Sequence, residues 1–295
     1  MKIGLVTLAP QKVEGYDLHV FYSKMADGTA FPAGVGMQND VTCFCDAKAI
    51  REDPSLVAVS PKGEALRKNR FFNLPFDYVC PTNPEYRAKV FSYLDSLNSQ
   101  AIEGVTLNLY HFPDQEFCTC PRCTKLLRKS GLGWTDWRAK TVTDFLKEAK
   151  THTKGTFAVE MYPDPVLAKE RFGIDFEAIA KLVDYFHVPL SSRDYLTNYW
   201  VDLLTGDFLK ILKKPVVVEL SGEMLTDQKT DALLKTVAYL SRHQSLMGVL
   251  LLVHDSENAR EIARYAVRNA EFRDWLGKYD FAQMNRIVEN WAKLF

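Results

Sequence analysis

The 295-residue chain has no surplus of either charge: 37 lysines and arginines stand against 37 aspartates and glutamates. That balance removes the electrostatic driver of nonspecific binding to nucleic acid or acidic membrane, so neither is expected as a partner. No apolar run approaches the roughly 18–20 residues of a membrane span. Internal repeats, low-complexity tracts and Pro/Gly/Ser-rich linkers are also missing, which argues for one domain over residues 1–295 rather than an array or tethered modules. The stretch Met1–Pro10 carries one lysine and a short apolar segment. It is too brief for an export leader and reads as a first strand, so a cytoplasmic location is expected.

What the chain does have is ordinary globular composition, 47% apolar and 25% charged, and a sequence of short apolar runs. These are Lys2–Leu8, Asp40–Cys45, Phe76–Cys80, Gly104–Tyr110, Thr156–Met161, Tyr185–Leu190, Pro215–Leu220 and Gly248–His254. Their interiors show little polar alternation, the pattern of parallel strands buried on both faces. Helical spacing fills several of the gaps. Asn83 can cap a helix that Pro84 opens, and Tyr86, Val90, Phe91, Leu94 and Leu97 then share one face. Further helices are expected over Trp137–Thr151, Phe176–Asp184, Leu203–Leu212 and Asp227–His243, with two in the tail, Glu257–Trp275 and Phe281–Leu294. Gln11–Asn39 and Ala47–Leu74 lack a clean helix and read as rim segments. Strands alternating with helices in this number match a (β/α)8 TIM barrel with C-terminal helices packed on it; an open doubly wound sheet is the alternative.

In a barrel the chemistry belongs to the C-terminal ends of the strands. There the sequence offers Asn108, His111, Asp114 and Glu116 after the fourth strand, and Glu160 and Tyr162 after the fifth. His187 follows on the sixth, Glu219 and Glu223 on the seventh, His254 and Asp255 on the eighth. Glu160 and Glu219 each end an apolar run, where a carboxylate is costly to bury without a partner. A single one is explained by an arginine partner or a helix cap. Two facing one pocket are what acid–base hydrolysis of a glycosidic bond requires, one donating a proton and the other attacking or activating water. Aromatic residues that could stack on a sugar lie in the same segments, Trp134, Tyr162 and Tyr195, whereas Trp137 and Trp200 read as core. His152 and His243 read as residues without a role.

The six cysteines are Cys43, Cys45, Cys80, Cys118, Cys120 and Cys123. Cys118-Thr-Cys-Pro-Arg-Cys123 can fold three thiolates around one centre, and tetrahedral zinc needs a fourth. Cys80 is one candidate, and Cys43 or Cys45 are the others. A closed four-cysteine site would be structural, since it leaves no open position for chemistry.

The segment from Val79 to Cys123 resembles a pattern of glycoside hydrolases. Val79-Cys-Pro-Thr-Asn-Pro-Glu-Tyr-Arg87 is similar to the C-P-N-S-P-x-Y-R segment of the family 42 β-galactosidases, where that cysteine joins a later C-x-C-x2-C to bind zinc. Gly104-Val-Thr-Leu-Asn-Leu-Tyr-His-Phe-Pro-Asp114 is similar to the fourth strand of related barrel glycosidases. The resemblance implies a glycoside hydrolase-like enzyme acting on a carbohydrate, with structural zinc on Cys80, Cys118, Cys120 and Cys123. By strand order, Glu219 takes the nucleophile's place. The family follows the asparagine of the fourth strand with a catalytic glutamate, whereas this chain has Asn108-Leu109. The proton donor would then be Glu160 or Asp114, with Asn108, His111, Trp134, Tyr162, His187, Tyr195 and Asp255 contacting substrate. The missing glutamate also supports an inactive sugar-binding barrel. A third reading is a metal-dependent hydrolase in which His111, His187, His254 and Asp255 converge on a catalytic ion.

Overall fold

The computed structural model describes residues 1–162, 164–190, 198–222 and 226–295. The chain opens with β1 (Lys2–Thr7), β2 (Leu18–Lys24) and β3 (Gln38–Thr42), joined by loops rather than helices. Next come α1 (Ala47–Glu52), the two-residue strands β4 (Val59–Ser60) and β5 (Gly63–Glu64), α2 (Pro84–Asn98) and β6 (Gly104–Asn108). α3 (Pro121–Ser130) and α4 (Trp134–Thr151) lead to β7 (Thr156–Glu160), α5 (Ala168–Phe172), α6 (Phe176–Ala180) and β8 (Tyr185–Pro189). α7 (Asn198–Leu212), β9 (Val216–Ser221), α8 (Asp227–Leu240) and β10 (Leu246–Val253) follow, and α9 (Ser256–Arg268), α10 (Ala270–Gly277) and α11 (Ala282–Ala292) end the chain. Eight strands close a barrel in the order β1-β10-β9-β8-β7-β6-β3-β2, and the paired neighbours β1–β10, β1–β2, β10–β9, β3–β6, β6–β7 and β8–β9 are parallel. This is the (β/α)8 barrel expected from the strand pattern.

One strand differs from the sequence reading. Phe76–Cys80 does not enter the barrel; Tyr78 and Val79 form only isolated antiparallel bridges to Cys45 and Val57. The strand that completes the barrel is β2, inside the segment read as rim. Its buried polar residues disguise it, and each has an inward partner. His19 Nε2 accepts from the Val13 N–H at 3.0 Å, and the Ser23 hydroxyl donates to Asp40 O at 2.9 Å. The expected long tail helix also breaks. Asn269 sits in extended backbone and its side chain accepts from the Phe272 N–H, starting α10.

The backbone groups into two compact units. The first, Met1–Tyr22 with Tyr185–Phe295, is built on β10, whose Leu250 and Leu251 are almost fully buried. Gly4 on β1 is required by close approach: a Cβ there would lie 2.6 Å from that of Leu18. The fully buried Trp291 anchors α11, its indole N–H donating to Gly15 O at 2.9 Å. The second unit, Ser23–Asp184, packs α2 and α4 through Phe91 and Phe145, whose ring centroids are 5.5 Å apart. Asn83 caps α2 through the Tyr86 N–H and Pro84 opens it, as the sequence predicts. Among the described residues no helix is long and apolar enough to cross a membrane.

Candidate functional sites

Both chemistries expected from the sequence can be followed residue by residue. The four sulfurs of Cys80, Cys118, Cys120 and Cys123 lie within 4.8 Å of one another. Cys80 Sγ is 3.8 Å from that of Cys120 and 3.5 Å from that of Cys123. Four thiolates at about 2.3 Å from one tetrahedral ion would be separated by about 3.8 Å, so the donors match a small thiophilic cation in number, type and spacing. Local backbone explains the convergence. Pro121 opens α3, and the Cys120 sulfur accepts from the Cys123 N–H at 3.4 Å as its N-cap. The Val59 N–H donates to Cys118 Sγ at 3.3 Å, and the Cys80 N–H donates to Leu56 O at 2.8 Å. Hydrogen bonds from Cys118, Cys123 and Cys80 hold the Cys120 thiol well below the ordinary thiol range. The Thr82 hydroxyl lies 3.1 Å from Cys123 Sγ and 3.3 Å from Cys80 Sγ, a contact of the kind that would orient thiolates around an ion. Cys43 and Cys45, the other candidates, are buried but not part of this group.

In the same unit, the exit of β6 is tightly organised. The Asn108 amide donates to the Asp40 carboxylate on β3, and both residues are buried. Asp40, at the middle of β3, is a buried acid that the sequence reading did not single out; its signal was a carboxylate between Asn39 and Val41 at the start of an apolar run. His111 is fully buried, its Nδ1 lies 2.7 Å from Phe112 O, and burial pushes its pKa down to about 4. The ring is therefore neutral near pH 7, with Nδ1–H donating to that carbonyl. Asp114 receives two hydrogen bonds from Arg171, at 3.2 Å from Nε and 3.0 Å from Nη2. Its carbonyl accepts from the buried Arg138 at 2.8 Å, and Arg138 also donates to Glu170 O and Arg171 O. Glu116 pairs with Lys62 at 2.5 Å. Trp134 opens α4 and donates its indole N–H to Gln115 O at 2.8 Å. Tyr162 is half-buried, its ring 4.6 Å from that of Phe172. Glu160, also half-buried, is the last residue of β7.

The first unit contributes a buried acid. Glu219, 2% exposed on β9, has Oε2 3.1 Å from Nε2 of the fully buried His187 on β8. Adjacent parallel strands explain the meeting, because Glu219 is in register with Pro189, two residues beyond His187. His254 is exposed, and Asp255 caps α9 through the Asn258 N–H at 2.9 Å. Tyr195 and Glu223 lie outside the described residues.

No protein-family model matches the sequence, and no curated protein matches it. Among solved structures, the chain is similar to α-L-fucosidase isoenzyme 2 from Paenibacillus thiaminolyticus, with 13% identity and a TM-score of 0.57 over 100% of this chain and 49% of that one. It is also similar to the Flavobacterium johnsoniae chitobiase, with 8% identity and a TM-score of 0.50 over 98% and 50%. A third neighbour is the glycoside hydrolase domain of PelA from Pseudomonas aeruginosa, with 13% identity and a TM-score of 0.48 over 87% and 96%. The chain spans about half the length of the fucosidase and chitobiase chains. At these identities the shared feature is the barrel, and fold alone does not fix chemistry.

Proposed function

We propose that the protein is a glycoside hydrolase-like enzyme that acts on a carbohydrate through carboxylates at the C-terminal ends of its barrel strands. The observation that carries this reading is Glu219, a carboxylate 2% exposed on β9 and facing an imidazole at 3.1 Å. Burying a carboxylate this deep is costly, which calls for a partner or a role that offsets it. The barrel shared with a fucosidase and a chitobiase supports the same class. Glu219 serves as nucleophile or base. Glu160, the last residue of β7, is the preferred proton donor, and the ion pair with Arg171 leaves Asp114 a charged carboxylate less suited to donate. Asn108 hydrogen-bonds a sugar hydroxyl, and Tyr162 and Trp134 supply stacking surface.

Zinc held by Cys80, Cys118, Cys120 and Cys123 completes the proposal. An ion held by these four thiolates would cross-link the segment before α2 to the one that opens α3, a structural and not a catalytic role. A reducing, cytoplasmic compartment suits this assignment, because the ligands must be thiolates. A panel of aryl glycosides assayed with wild type, Glu219→Gln and Glu160→Gln tests the enzyme. Loss of at least about 1000-fold in kcat/KM in Glu219→Gln is expected, and equal rates would remove Glu219 from catalysis. Leu109, where the resemblance has a catalytic glutamate, favours a second reading: a barrel that binds sugars without cleaving them. Saturable sugar binding with no turnover by wild type would select it.

A further inference from the structure

Away from the strand ends, a cavity of about 700 Å³ opens between α1 and the residues flanking β5. Its volume falls in the range of roughly 300–1,000 Å³ typical of small-molecule sites. The floor is apolar and well packed, with Ile50, Val57 and Leu66 each no more than 9% exposed. Around it stand three exposed cations, Arg51 at the last turn of α1 and Arg67 and Lys68 beyond β5. Among the described residues none of the three is paired with a carboxylate. Two acids, Glu64 and Asp77, also line the cavity; Asp77 keeps its charge but turns Oδ1 onto the Arg67 N–H at 2.7 Å. In a chain of zero net charge, three cations against two acids leave this rim with one net positive charge around an apolar floor.

The walls are held by main-chain bonds. Ala65 N–H donates to Ala58 O at 2.8 Å, Ala58 N–H to Tyr78 O at 2.9 Å, and Tyr78 N–H to Ala65 O at 2.9 Å. Three extended segments thus brace one another, and Val57 is fixed between the Cys80 and Cys118 loops by the bonds of Leu56 and Val59. A preformed cavity spends little ordering entropy on binding. We infer that this cavity binds a small organic anion: a compact apolar body on Ile50, Val57 and Leu66, and a carboxylate, sulfonate or phosphate among Arg51, Arg67 and Lys68. The site is independent of the glycosidase and zinc readings and stands if either fails.

Isothermal titration with 1-naphthoate and its neutral relative 1-naphthalenemethanol tests it. Three exposed cations, each contributing modestly, should favour the anion by about tenfold at low salt, and the preference should shrink at high salt. Arg51→Glu combined with Lys68→Glu, both surface changes, should abolish the preference while leaving the alcohol's affinity unchanged. Ala47→Trp, at the cavity's edge, should block both compounds with no change in circular dichroism. The proposal is overturned if neither compound binds wild type, if the two bind equally, or if the double reversal keeps the preference.

Discussion

Replacing Asp46 by asparagine probes a buried network that closes the outer end of β2. Lys24 Nζ donates to Thr42 O at 3.2 Å and Tyr86 Oη at 3.3 Å, and lies 3.2 Å from Asp46 Oδ2. Asp46 also accepts from Tyr86 Oη at 2.8 Å and, through Oδ1, from the Ala49 N–H at 2.8 Å. Both charged side chains are only 10% exposed. Asparagine keeps the helix cap through its carbonyl but turns an NH2 toward the ammonium, leaving Lys24 buried with neutral partners. Breaking one side of a buried pair costs about 3–5 kcal/mol, and access of solvent at this edge places the expected loss near the lower bound, about 3 kcal/mol. Asp46→Ala adds the lost cap, about 1 kcal/mol more. Lys24→Met with Asp46→Asn should recover much of the loss, because no uncompensated charge is left.

The assay is urea unfolding at pH 7 for both single variants and the double. A double variant that costs the sum of the two singles would refute the coupling, as would an Asp46→Asn midpoint equal to wild type. The same network predicts a pH limb. Burial alone would raise the Asp46 carboxyl, but the Lys24 ammonium and the Ala49 and Tyr86 hydrogen bonds outweigh it and hold the group below its ordinary value. With the folded value below the unfolded one of about 3.9, the contribution is complete above about pH 5 and lost as pH falls through the folded value. Asp46→Asn should flatten that limb.

Other perturbations report on other parts. Cys118→Ser should lower zinc from about one per chain to near zero and reduce Tm by roughly 10 °C; full metal content by atomic absorption would sink the four-cysteine site. His111, whose folded pKa of about 4 lies below the unfolded value of about 6.5, should make stability fall by roughly 2 kcal/mol between pH 7 and pH 5. His111→Phe should remove that dependence, and an NMR titration should find the wild-type ring unprotonated down to about pH 5. Leu109→Val, a β-branched residue in a left-handed position, should cost roughly 2 kcal/mol by urea unfolding, whereas Leu109→Asn should stay within about 1 kcal/mol of wild type.

How far the fold could be read from the sequence depended on where each residue finds its partner. Val216-Val-Val and Leu250-Leu-Leu-Val announce β9 and β10 because a strand buried on both faces has no use for polar side chains. The start of α2 was equally plain, since Asn83 and Pro84 act on residues within one turn. β2 was hidden by His19, Ser23 and Lys24, which satisfy their polar atoms against Val13, Asp40 and the Thr42–Tyr86–Asp46 group. Those partners lie up to 62 positions away, and nothing in a local window distinguishes such a residue from a rim loop. The cysteines were legible for the opposite reason: three fall within six positions and thiols have few other uses at that spacing. The Asp40–Asn108 contact spans 68 positions and left no local trace. Nor could the sequence show that Asp114 is held by Arg171 while Glu219 meets a histidine.

The exit of β6 bears most directly on which functional reading survives. Asn108 ends the strand, and Leu109 then turns into left-handed backbone with φ 45°. The Asn108 and Leu109 carbonyls accept from the Cys43 and Phe44 N–H groups, each at 2.9 Å, so two successive bonds clamp the turn to the exit of β3. A bulky non-glycine residue in this region costs about 1–2 kcal/mol, and the clamp holds it there. Side chains alternate between faces only while the backbone stays extended. At Leu109 that alternation ends, so the direction of a side chain at position 109 is set by the left-handed turn and not by the pleat of β6. Restoring a glutamate here would therefore not by itself restore a catalytic acid in the geometry an extended strand would give. Under the proposed glycosidase reading the proton donor comes from another strand end, and Glu160, the last residue of β7, is the acid proposed for it. Glu160→Gln thus discriminates more sharply than Leu109→Glu. It should abolish turnover if the enzyme reading holds, and leave sugar affinity intact if the barrel only binds.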